Sequence, residues 1–320
     1  MGEMGNCHIA FCVNDAYVPY ITVTIKSIAE NNRYGKVSIH ILTDSITSKN
    51  RERLKEMVEG YDNMLLYVYE VDDTLLRDLY AGNFTIYTWY RILIPMVLPT
   101  TIDRVLYLDA DTLVTANLSE LFDIDMTNKS IAAVVEDNTF VQKHYERLRY
   151  ESSKHYICTG VLLMNLDYWR ENCLTDKMIE WAYKYSKKLK FPDQDAINYI
   201  CQDTKILLPL RYGILQWFFT NDKFYEMPFR EQLKDCIERP AIIHYAFCAP
   251  WYKDTATHMM YGHWMRYNLM LRHPVQQRYK AKGLLKLKLV IWDILHPFKE
   301  RDYVTIGAAV SKIKKAENGC

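Results

Sequence analysis

The stretch Asp103-Arg-Val-Leu-Tyr-Leu-Asp-Ala-Asp111 is an apolar strand that ends at two carboxylates one residue apart. Side chains alternate along a strand, so we expect Asp109 and Asp111 to point the same way, with Ala110 keeping the turn between them small. Carboxylates are ligands for Mg²⁺ and Mn²⁺ and for the phosphates that these ions carry. The stretch therefore indicates a site for a divalent cation and a diphosphate leaving group. An ordinary turn that closes a strand would use the same residue types.

Apolar strands alternate with helices around this stretch. We predict strands at 7–13, 37–43, 64–71, 104–108, 131–136, 161–166 and 242–245, and helices at 17–31, 48–59, 87–98, 175–189 and 195–201. Such alternation predicts an α/β protein with a mostly parallel, doubly wound sheet. Ligands of these sheets bind at the carboxyl ends of the strands, where the aspartate pair and Asn14 are expected to lie.

The composition excludes several classes of protein. The chain has 320 residues, of which 49% are hydrophobic and 25% are charged, and this is typical of a globular protein. It contains neither a dinucleotide-binding Gly-x-Gly-x-x-Gly motif nor a P-loop, so a bound nucleotide would need a metal at its phosphates. None of its eight cysteines forms a Cys-x-x-Cys pair. We expect no nucleic-acid partner.

The charge is distributed unevenly along the chain. Residues 278–320 contain ten lysines and arginines but only four acidic residues, whereas the whole chain has a net charge of +1. The run 283–295 combines a broad apolar face with Lys282 and Lys286 on the other side, a pattern typical of an interfacial helix. We therefore predict a catalytic domain over 1–270 and a basic amphipathic tail over 271–320 that binds an anionic membrane surface. A helix that packs on the domain and leaves its lysines in solvent is the alternative.

The sequence also suggests where the protein is located. It shows no signal-peptide pattern and no run of about 18 apolar residues. We therefore expect a cytoplasmic protein that is peripheral at the inner face of the plasma membrane if the tail docks there.

Two further polar positions follow apolar or aromatic segments. His244 ends an apolar strand, and a neutral imidazole there could complete an Asp/Asp/His metal site, which suits Mn²⁺ somewhat better than Mg²⁺. A core or capping histidine is the alternative. Arg91 lies in an apolar and aromatic helix, where a buried guanidinium needs an anionic partner.

Two short polar segments add to these positions. Asp193-Gln194-Asp195 opens a helix after Pro192, where acidic side chains favour the helix N-terminus, so a capping role stays open. Thr159-Gly160 precedes a strand, and a glycine there permits close approach of a ligand.

Six segments occur in a characteristic order over roughly residues 7–255. They are Ile9-Ala-Phe-Cys-Val-Asn-Asp-Ala-Tyr17, Tyr90-Arg91, Val105-Leu-Tyr-Leu-Asp-Ala-Asp111, Thr159-Gly-Val-Leu-Leu-Met-Asn165, Asp193-Gln-Asp195 and His244-Tyr245 with Pro250-Trp251. In this order they resemble the retaining glycosyltransferases of family 8, the lipopolysaccharide galactosyl- and glucosyltransferase group that also includes glycogenin. The resemblance implies the GT-A nucleotide-diphospho-sugar transferase fold, a UDP-sugar donor and a Mn²⁺ (or Mg²⁺) ion.

The same resemblance assigns roles to individual residues. It places donor binding on Cys12, Val13, Asn14, Tyr17, Arg91, Asp109, Ala110, Asp111, Thr159, Asp193, Gln194 and His244, with Asp109, Asp111 and His244 as the metal ligands. The exit of the first strand would hold uracil and ribose, and Tyr17 would stack on the base. Arg91 and Asp193 would bind the donor sugar, and Gln194 would lie at the anomeric carbon opposite the leaving UDP, so that Gln194 and Asp193 are the expected catalytic residues.

These roles describe a catalytic reaction. The expected function is transfer of galactose or glucose, with retention, from a UDP-sugar to a glycan or glycolipid acceptor such as lipopolysaccharide. The alternatives are a transferase that uses UDP-N-acetylglucosamine and a catalytically weakened sugar-nucleotide binding protein. Retention could use Gln194 as a nucleophile, or acceptor attack on the face from which UDP departs; we favour the second route because an amide is a poor nucleophile.

One motif departs from the family pattern. The family usually carries His-x-x-Gly-x-x-Lys-Pro-Trp, whereas this chain reads His244-Tyr-Ala-Phe-Cys-Ala-Pro-Trp251, one residue shorter and without the glycine and the lysine. That lysine normally contacts the diphosphate. Lys154 and Lys253 are candidates to replace its charge.

Overall fold

The structure is a computed structural model that describes residues 6–136, 141–220 and 229–295. Nine strands lie in these ranges: β1 (Cys7–Cys12), β2 (Val37–Thr43), β3 (Met64–Glu70), β4 (Arg104–Leu108), β5 (Thr112–Val114), β6 (Ile131–Ala133), β7 (Val161–Asn165), β8 (Lys205–Leu207) and β9 (Ile242–His244).

Twelve α-helices lie in the same described ranges. They are α1 (Val18–Asn31), α2 (Ser48–Glu59), α3 (Ile94–Val97), α4 (Ser119–Phe122), α5 (Val141–Leu148), α6 (Leu166–Glu171), α7 (Leu174–Tyr185), α8 (Pro192–Ile200), α9 (Trp217–Thr220), α10 (Leu233–Glu238), α11 (Tyr261–Leu269) and α12 (Gly283–Leu295). Short 3₁₀ helices include Asp15–Tyr17 before α1 and Ile86–Leu93 before α3.

Seven strands form the main sheet, in the order β3-β2-β1-β4-β7-β6-β8. Strands β3, β2, β1 and β4 are parallel to one another, whereas β7 is antiparallel to both β4 and β6. The prediction of a mostly parallel sheet is therefore confirmed. The carboxyl ends of β1 and β4 are adjacent, and they place the exit of the first strand beside Asp109.

Helices cover both faces of this sheet, because both faces are apolar. On β1, Ile9 and Phe11 belong to the core beneath α1, whereas Ala10 and Cys12 belong to the core on the opposite face. Parallel strands that are buried on both sides require such a double layer of helices. The sheet is therefore doubly wound, as its sequence pattern predicts.

A second sheet, of two strands, brings β9 next to the residues that follow β4. β5 pairs antiparallel with β9, and Thr112 lies opposite His244. The backbone N–H of Tyr245 donates to the carbonyl of Asp111 over 2.8 Å. This pairing joins residues about 130 positions apart, which the separate strand predictions did not connect.

Several predicted boundaries are wrong in detail. The segment predicted as one helix over 87–98 is the 3₁₀ helix Ile86–Leu93 followed by α3, which has Pro95 in its first turn, a position where the missing N–H of proline is tolerated. Strand β6 ends at Ala133 rather than at 136, because Val135 instead forms a bridge with Ile157. α8 begins at Pro192, before the predicted start at 195.

The chain beyond α11 has two parts among the described residues. Val275 is buried, and Arg278 donates its backbone N–H to Trp251 and accepts one from Lys253, so residues 275–281 pack against the rest of the protein. In α12 the side chains of Leu284, Leu285, Leu287, Ile291 and Ile294 are exposed. None of the described helices has the length and apolarity needed to cross a membrane. The tail residues 296–320, which include Lys312, Lys314 and Lys315, lie outside the described residues.

Candidate active site

Three side chains that can bind a metal converge at the carboxyl end of β4. The candidate ligand atoms of Asp109, Asp111 and His244 all lie within 4.8 Å of one another, and within the described residues this is the only such group of three acidic, histidine or cysteine side chains. The Nε2 atom of His244 lies 3.3 Å from Asp111 Oδ1 and 3.7 Å from Asp109 Oδ2. Two carboxylates and an imidazole form a donor set that suits Mn²⁺ or Mg²⁺.

A turn, rather than strand alternation, brings the two carboxylates together. β4 ends at Leu108, and residues 109–111 turn the chain into β5, with the N–H and hydroxyl of Thr112 both donating to the carbonyl of Asp109. We expected strand alternation to point the two carboxylates the same way. They do lie close together, but the turn at 109–111 brings them there, so the predicted cause is wrong. The small Ala110 lies in this turn.

Gly160 leaves the space that the histidine ring fills. A Cβ atom at this position would lie 2.1 Å from His244 Cε1 and 2.8 Å from Asp109 Oδ2. Its carbonyl also accepts the backbone N–H of Asp109 over 2.8 Å. We expected this glycine to permit close approach of a ligand, and in the structure it permits close approach of His244. The space that Gly160 leaves lets His244 approach Asp109, and this supports the fit of the three side chains to one cation.

The second nitrogen of the histidine ring contacts a thiol. His244 Nδ1 lies 3.5 Å from Cys158 Sγ, and both side chains are buried. Burial raises the pKa of the Cys158 thiol, which keeps the sulfur protonated. A partner at this nitrogen fixes the orientation of a metal-binding imidazole. Cys158 was not predicted as a site residue, although it directly precedes the Thr159-Gly160 pair.

Arg91 connects the metal site to the start of α8. Its guanidinium donates to Asp109 Oδ1 over 2.9 Å and lies 3.2 Å from Asp193 Oδ2. It also donates to the carbonyl and hydroxyl of Thr159 over 2.7 and 3.0 Å, and it lies over the Tyr107 ring. Arg91 is buried, and it has the anionic partners that its apolar helix predicts.

The pKa values of Arg91 and Asp193 reflect burial and the attraction between opposite charges. Burial by itself lowers the pKa of Arg91, but Asp109 and Tyr107 raise it, and the net shift is upward. Burial raises the pKa of Asp193 to about 6, against the opposing effect of Arg91. The arginine therefore stays charged, and Asp193 titrates close to neutral pH.

The carboxamide of Gln194 is held at both ends. Its Oε1 accepts the N–H and the hydroxyl of Thr159 over 3.1 and 3.2 Å, and its Nε2 donates to Glu136 Oε2 over 2.5 Å. Glu136 is buried and was not predicted as a site residue. Its position at the end of the apolar segment 131–136 is the signal that could have found it. These contacts fix the orientation of the amide between Glu136, in the segment after β6, and Thr159, before β7.

Asp195 has a structural role. Its buried carboxylate accepts hydrogen bonds from Arg147, from the Tyr156 hydroxyl and from the backbone N–H groups of Lys190 and Phe191. It thereby ties the incoming chain to the first turn of α8. The alternative of a structural role at the helix start therefore applies to Asp195. Asp193 and Gln194 instead contact Arg91 and Thr159 in the site.

The exit of the first strand lies beside the end of β4 and its aspartate pair. Cys12 and Val13 are buried, and Asn14 accepts the N–H of Tyr17 at the start of the 3₁₀ helix Asp15–Tyr17. The Tyr17 side chain is 40% exposed and meets Trp251 edge to face, with ring centroids 6.1 Å apart. An exposed aromatic ring held in this way is suited to stacking on a base.

Neither candidate for the missing lysine lies free at this site. Lys154 forms an ion pair with Asp203 over 2.7 Å, and the Lys253 ammonium lies over the Tyr279 ring. The guanidinium of Arg278 lies over Tyr252, 5.2 Å from the ring centroid.

The fold and this constellation define a nucleotide-sugar transferase of the GT-A class. The sequence pattern described as glycosyl transferase family 8 matches residues 8–255, and the chain belongs to this family. A lipopolysaccharide 1,2-glucosyltransferase from Escherichia coli is 27% identical over 257 residues, which cover 79% of this chain and 75% of that protein.

Solved structures show the same fold. The galactosyltransferase LgtC, solved with donor and acceptor sugar analogues, matches with a TM-score of 0.71 at 22% identity over 84% of this chain and 96% of that chain. The bifunctional glycosyltransferase WbbM matches with a TM-score of 0.68 at 21% identity, and the match spans 50% of its length and 84% of this chain. The predicted GT-A fold and family are therefore confirmed.

Proposed function

We propose that this protein is a retaining glycosyltransferase that moves galactose or glucose from a UDP-sugar to a glycan acceptor. The observation that carries the proposal is the convergence of Asp109, Asp111 and His244 beside Arg91 and the start of α8. The name of the Escherichia coli relative supports a lipopolysaccharide or other cell-surface polysaccharide as the acceptor.

The three converging side chains would hold Mn²⁺, or Mg²⁺ in its place. When bound, such an ion neutralises the diphosphate and stabilises it as a leaving group. Arg91 and Tyr107 both donate to Oδ1 of Asp109, and Oδ2 is the oxygen that faces His244. The protein thus orients one carboxylate oxygen toward the site before any ligand binds, which lowers the cost of reorganisation.

The donor sugar would lie against Arg91, Asp193 and Gln194. The Asp193 carboxylate can accept a sugar hydroxyl while Arg91 balances its charge. The Gln194 oxygen already accepts two hydrogen bonds from Thr159, which reduces its electron density for attack on carbon. This supports acceptor attack on the face from which UDP departs, with the β-phosphate accepting the acceptor proton and Gln194 as a positioning residue.

A panel of donors tests the proposal. Purified protein with Mn²⁺ is incubated with UDP-galactose, UDP-glucose or UDP-N-acetylglucosamine, and released UDP is measured alongside the thermal shift that UDP produces. We expect metal-dependent hydrolysis of one hexose donor and a rise in the melting temperature. A thermal shift without UDP release from any donor would contradict the enzyme and favour the binding protein. Faster release from UDP-N-acetylglucosamine would replace the proposed donor.

We also propose that the C-terminal tail binds an anionic membrane. Within the predicted tail over 271–320, Arg278 forms backbone hydrogen bonds with Trp251 and Lys253, so we assign the membrane role to α12 and the residues after it. Leu284, Leu287, Ile291 and Ile294 recur at helical spacing and are exposed. A glycolipid acceptor would give a cytoplasmic enzyme a reason to dock at the inner face of the plasma membrane.

A further inference from the structure

Phe247 has a backbone conformation that phenylalanine rarely adopts. Its φ angle is +61°, and it lies three residues after His244. A bulky side chain in the left-handed region is an outlier, whereas glycine adopts this conformation freely. The conformation therefore destabilises the folded protein, and strain of this kind concentrates at functional sites.

Burial does not compensate for this strain. The Phe247 side chain is 69% exposed, so it contributes little apolar burial to folding. The part of the chain described by the structure has four other non-glycine residues with positive φ, namely Asn128, Arg149, His155 and Cys173. Phe247 therefore combines backbone strain with little stabilising burial, and a role of the ring in binding would account for both features.

The Phe247 ring lies near two other aromatic rings. Its centroid is 6.4 Å from that of Phe191, which precedes α8 and hence Gln194, and 6.3 Å from that of Trp217. Phe191 and Trp217 are half-buried and Phe247 is exposed, so the three rings form an aromatic surface beside the segment 193–194 that would bind the donor sugar. The exposed Phe247 ring is accessible to an acceptor that arrives from solvent.

We propose that Phe247 is a specificity-determining residue whose ring, with Phe191 and Trp217, stacks on the apolar face of the acceptor sugar. The C–H groups on one face of a pyranose ring are attracted to the electron-rich face of an aromatic ring, and burial of both surfaces adds to the binding. Hexopyranosides with several C–H groups on one face are the class that this surface fits. The inference rests on the proposed glycosyltransferase function.

Three substitutions distinguish the effect of the Phe247 ring from the effect of its strained backbone. Phe247→Gly removes both, and we expect a melting temperature about 2 °C higher than that of wild type. Phe247→Ala removes the ring but keeps a Cβ at positive φ, so no such gain is expected. Phe247→Trp keeps an aromatic ring and should retain acceptor binding. Cys173→Gly is the matched control for the release of backbone strain outside the aromatic surface. Cys173 is an exposed residue with φ of +49° that lies between α6 and α7.

Acceptor binding is measured with methyl β-galactoside and methyl β-glucoside as probes. Saturation-transfer NMR on the full chain with UDP and Mg²⁺ should show magnetisation passing to the ring protons of one face of at least one probe. In Phe247→Gly and Phe247→Ala we expect about tenfold weaker binding, which corresponds to about 1.4 kcal/mol. UDP affinity should stay within twofold of wild type in all variants.

Each result separates this inference from the proposed function. Loss of stability in Phe247→Gly would show that the ring is a structural element and would overturn the inference. So would unchanged probe binding in Phe247→Gly, or the absence of saturation transfer to both probes in a wild-type protein that binds UDP. Failure of the wild-type protein to bind UDP would instead overturn the proposed function.

Discussion

The buried charges of the site depend on one another at the level of single residues. Arg91 is balanced by Asp109 and Asp193, and the same guanidinium holds Thr159, which in turn holds Gln194. Removal of one partner from a buried pair leaves an uncompensated charge. Substitutions in this network therefore need a fold control before their effect on activity is interpreted.

Asp111→Asn tests the metal site with a minimal change. An amide keeps the size of the side chain but removes the charge, so we expect metal-dependent turnover to fall by at least about 100-fold, equivalent to roughly 3 kcal/mol of barrier. Mn²⁺ binding, followed by calorimetry, should weaken in parallel. Asp62→Asn, at an exposed position in the turn before β3, should behave as wild type. Turnover within threefold of wild type that still needs metal would contradict the assignment.

Gln194→Ala tests the positioning role of the amide. The substitution removes the hydrogen bonds with Thr159 and Glu136, so we expect transfer to fall by at least about tenfold, which is about 1.4 kcal/mol of barrier. The dissociation constant of UDP should change much less. Gln202→Ala, just beyond the end of α8, is the matched control. An unchanged transfer rate would leave the segment 193–195 with a purely structural role at the helix start.

At the scale of elements, the site depends on how closely two strands and a turn approach. The β5–β9 pairing brings His244 to Asp111, and Gly160 at the start of β7 leaves the ring its space. We predict that Gly160→Ala shifts His244 or Asp109, weakens Mn²⁺ binding by at least about tenfold and destabilises the fold by roughly 1–3 kcal/mol, as overpacking does. Calorimetric titration and chemical denaturation measure the two effects.

A second glycine supplies the control for this prediction. An added Cβ at Gly262, in α11, would meet no atom within 4 Å. Gly262→Ala should therefore stabilise the protein by roughly 0.5–1 kcal/mol through the higher helix propensity of alanine. Wild-type metal affinity in Gly160→Ala would show that the ring can move without loss of the site.

The elements that could be predicted from the sequence are those with a local signal. β4 is predicted to the residue because its apolar run is bounded by charged residues on both sides. The turn at Asp109 and the pairing of His244 with Thr112 depend on contacts across about 130 residues, which have no local signal. His244 was predicted as a ligand from the apolar strand that it ends and from the resemblance to the family. Cys158 was missed because its contact with the His244 ring arises only when the two segments meet.

At the scale of the whole molecule, three buried histidines predict sensitivity to acid. Burial lowers the pKa of His40 to about 3, of His144 to about 4 and of His258 to about 3. The unfolded chain binds these protons near pH 6.5 and the folded chain does not, so stability is full above pH 6.5 and falls as the pH decreases toward 4. Each histidine contributes a slope of about 1.4 kcal/mol per pH unit. Asp193, whose pKa is raised, offsets part of this below pH 6.

His258→Gln isolates one of these contributions. His258 Nδ1 accepts the N–H of Met260 and its Nε2 contacts the carbonyl of Ile214, so the neutral ring satisfies both groups and the protonated ring would not. Denaturation curves at pH 7, 6 and 5 should show a smaller loss of unfolding free energy in the variant, by about 1.4 kcal/mol per pH unit. Parallel curves for the two proteins would show that His258 does not titrate on unfolding.

The proposed membrane binding of the tail is tested on the whole molecule. In α12 the apolar stripe of Leu284, Leu287, Ile291 and Ile294 is exposed, and lysines lie beside it. Apolar burial at the interface and about 1 kcal/mol of attraction per basic residue near an anionic leaflet would act together. A chain that ends at Lys282 keeps the packed residues 275–281 and loses the helix. We expect the full chain to sediment with anionic liposomes at low salt, less so at high salt, and the shortened chain to stay in solution.

Two comparisons make this result specific to the membrane. A full chain with Leu284→Ser, Leu287→Ser and Ile291→Ser keeps every lysine but loses most of the stripe, so its weaker sedimentation would separate apolar burial from charge attraction. Neutral liposomes should bind the full chain less than anionic ones do, because the electrostatic term is absent. We expect equal UDP-sugar hydrolysis in the full and shortened chains, because the exposed apolar side chains of α12 are not among the residues assigned to the site. Equal sedimentation of the two chains, or a full chain that ignores salt, would contradict the membrane role.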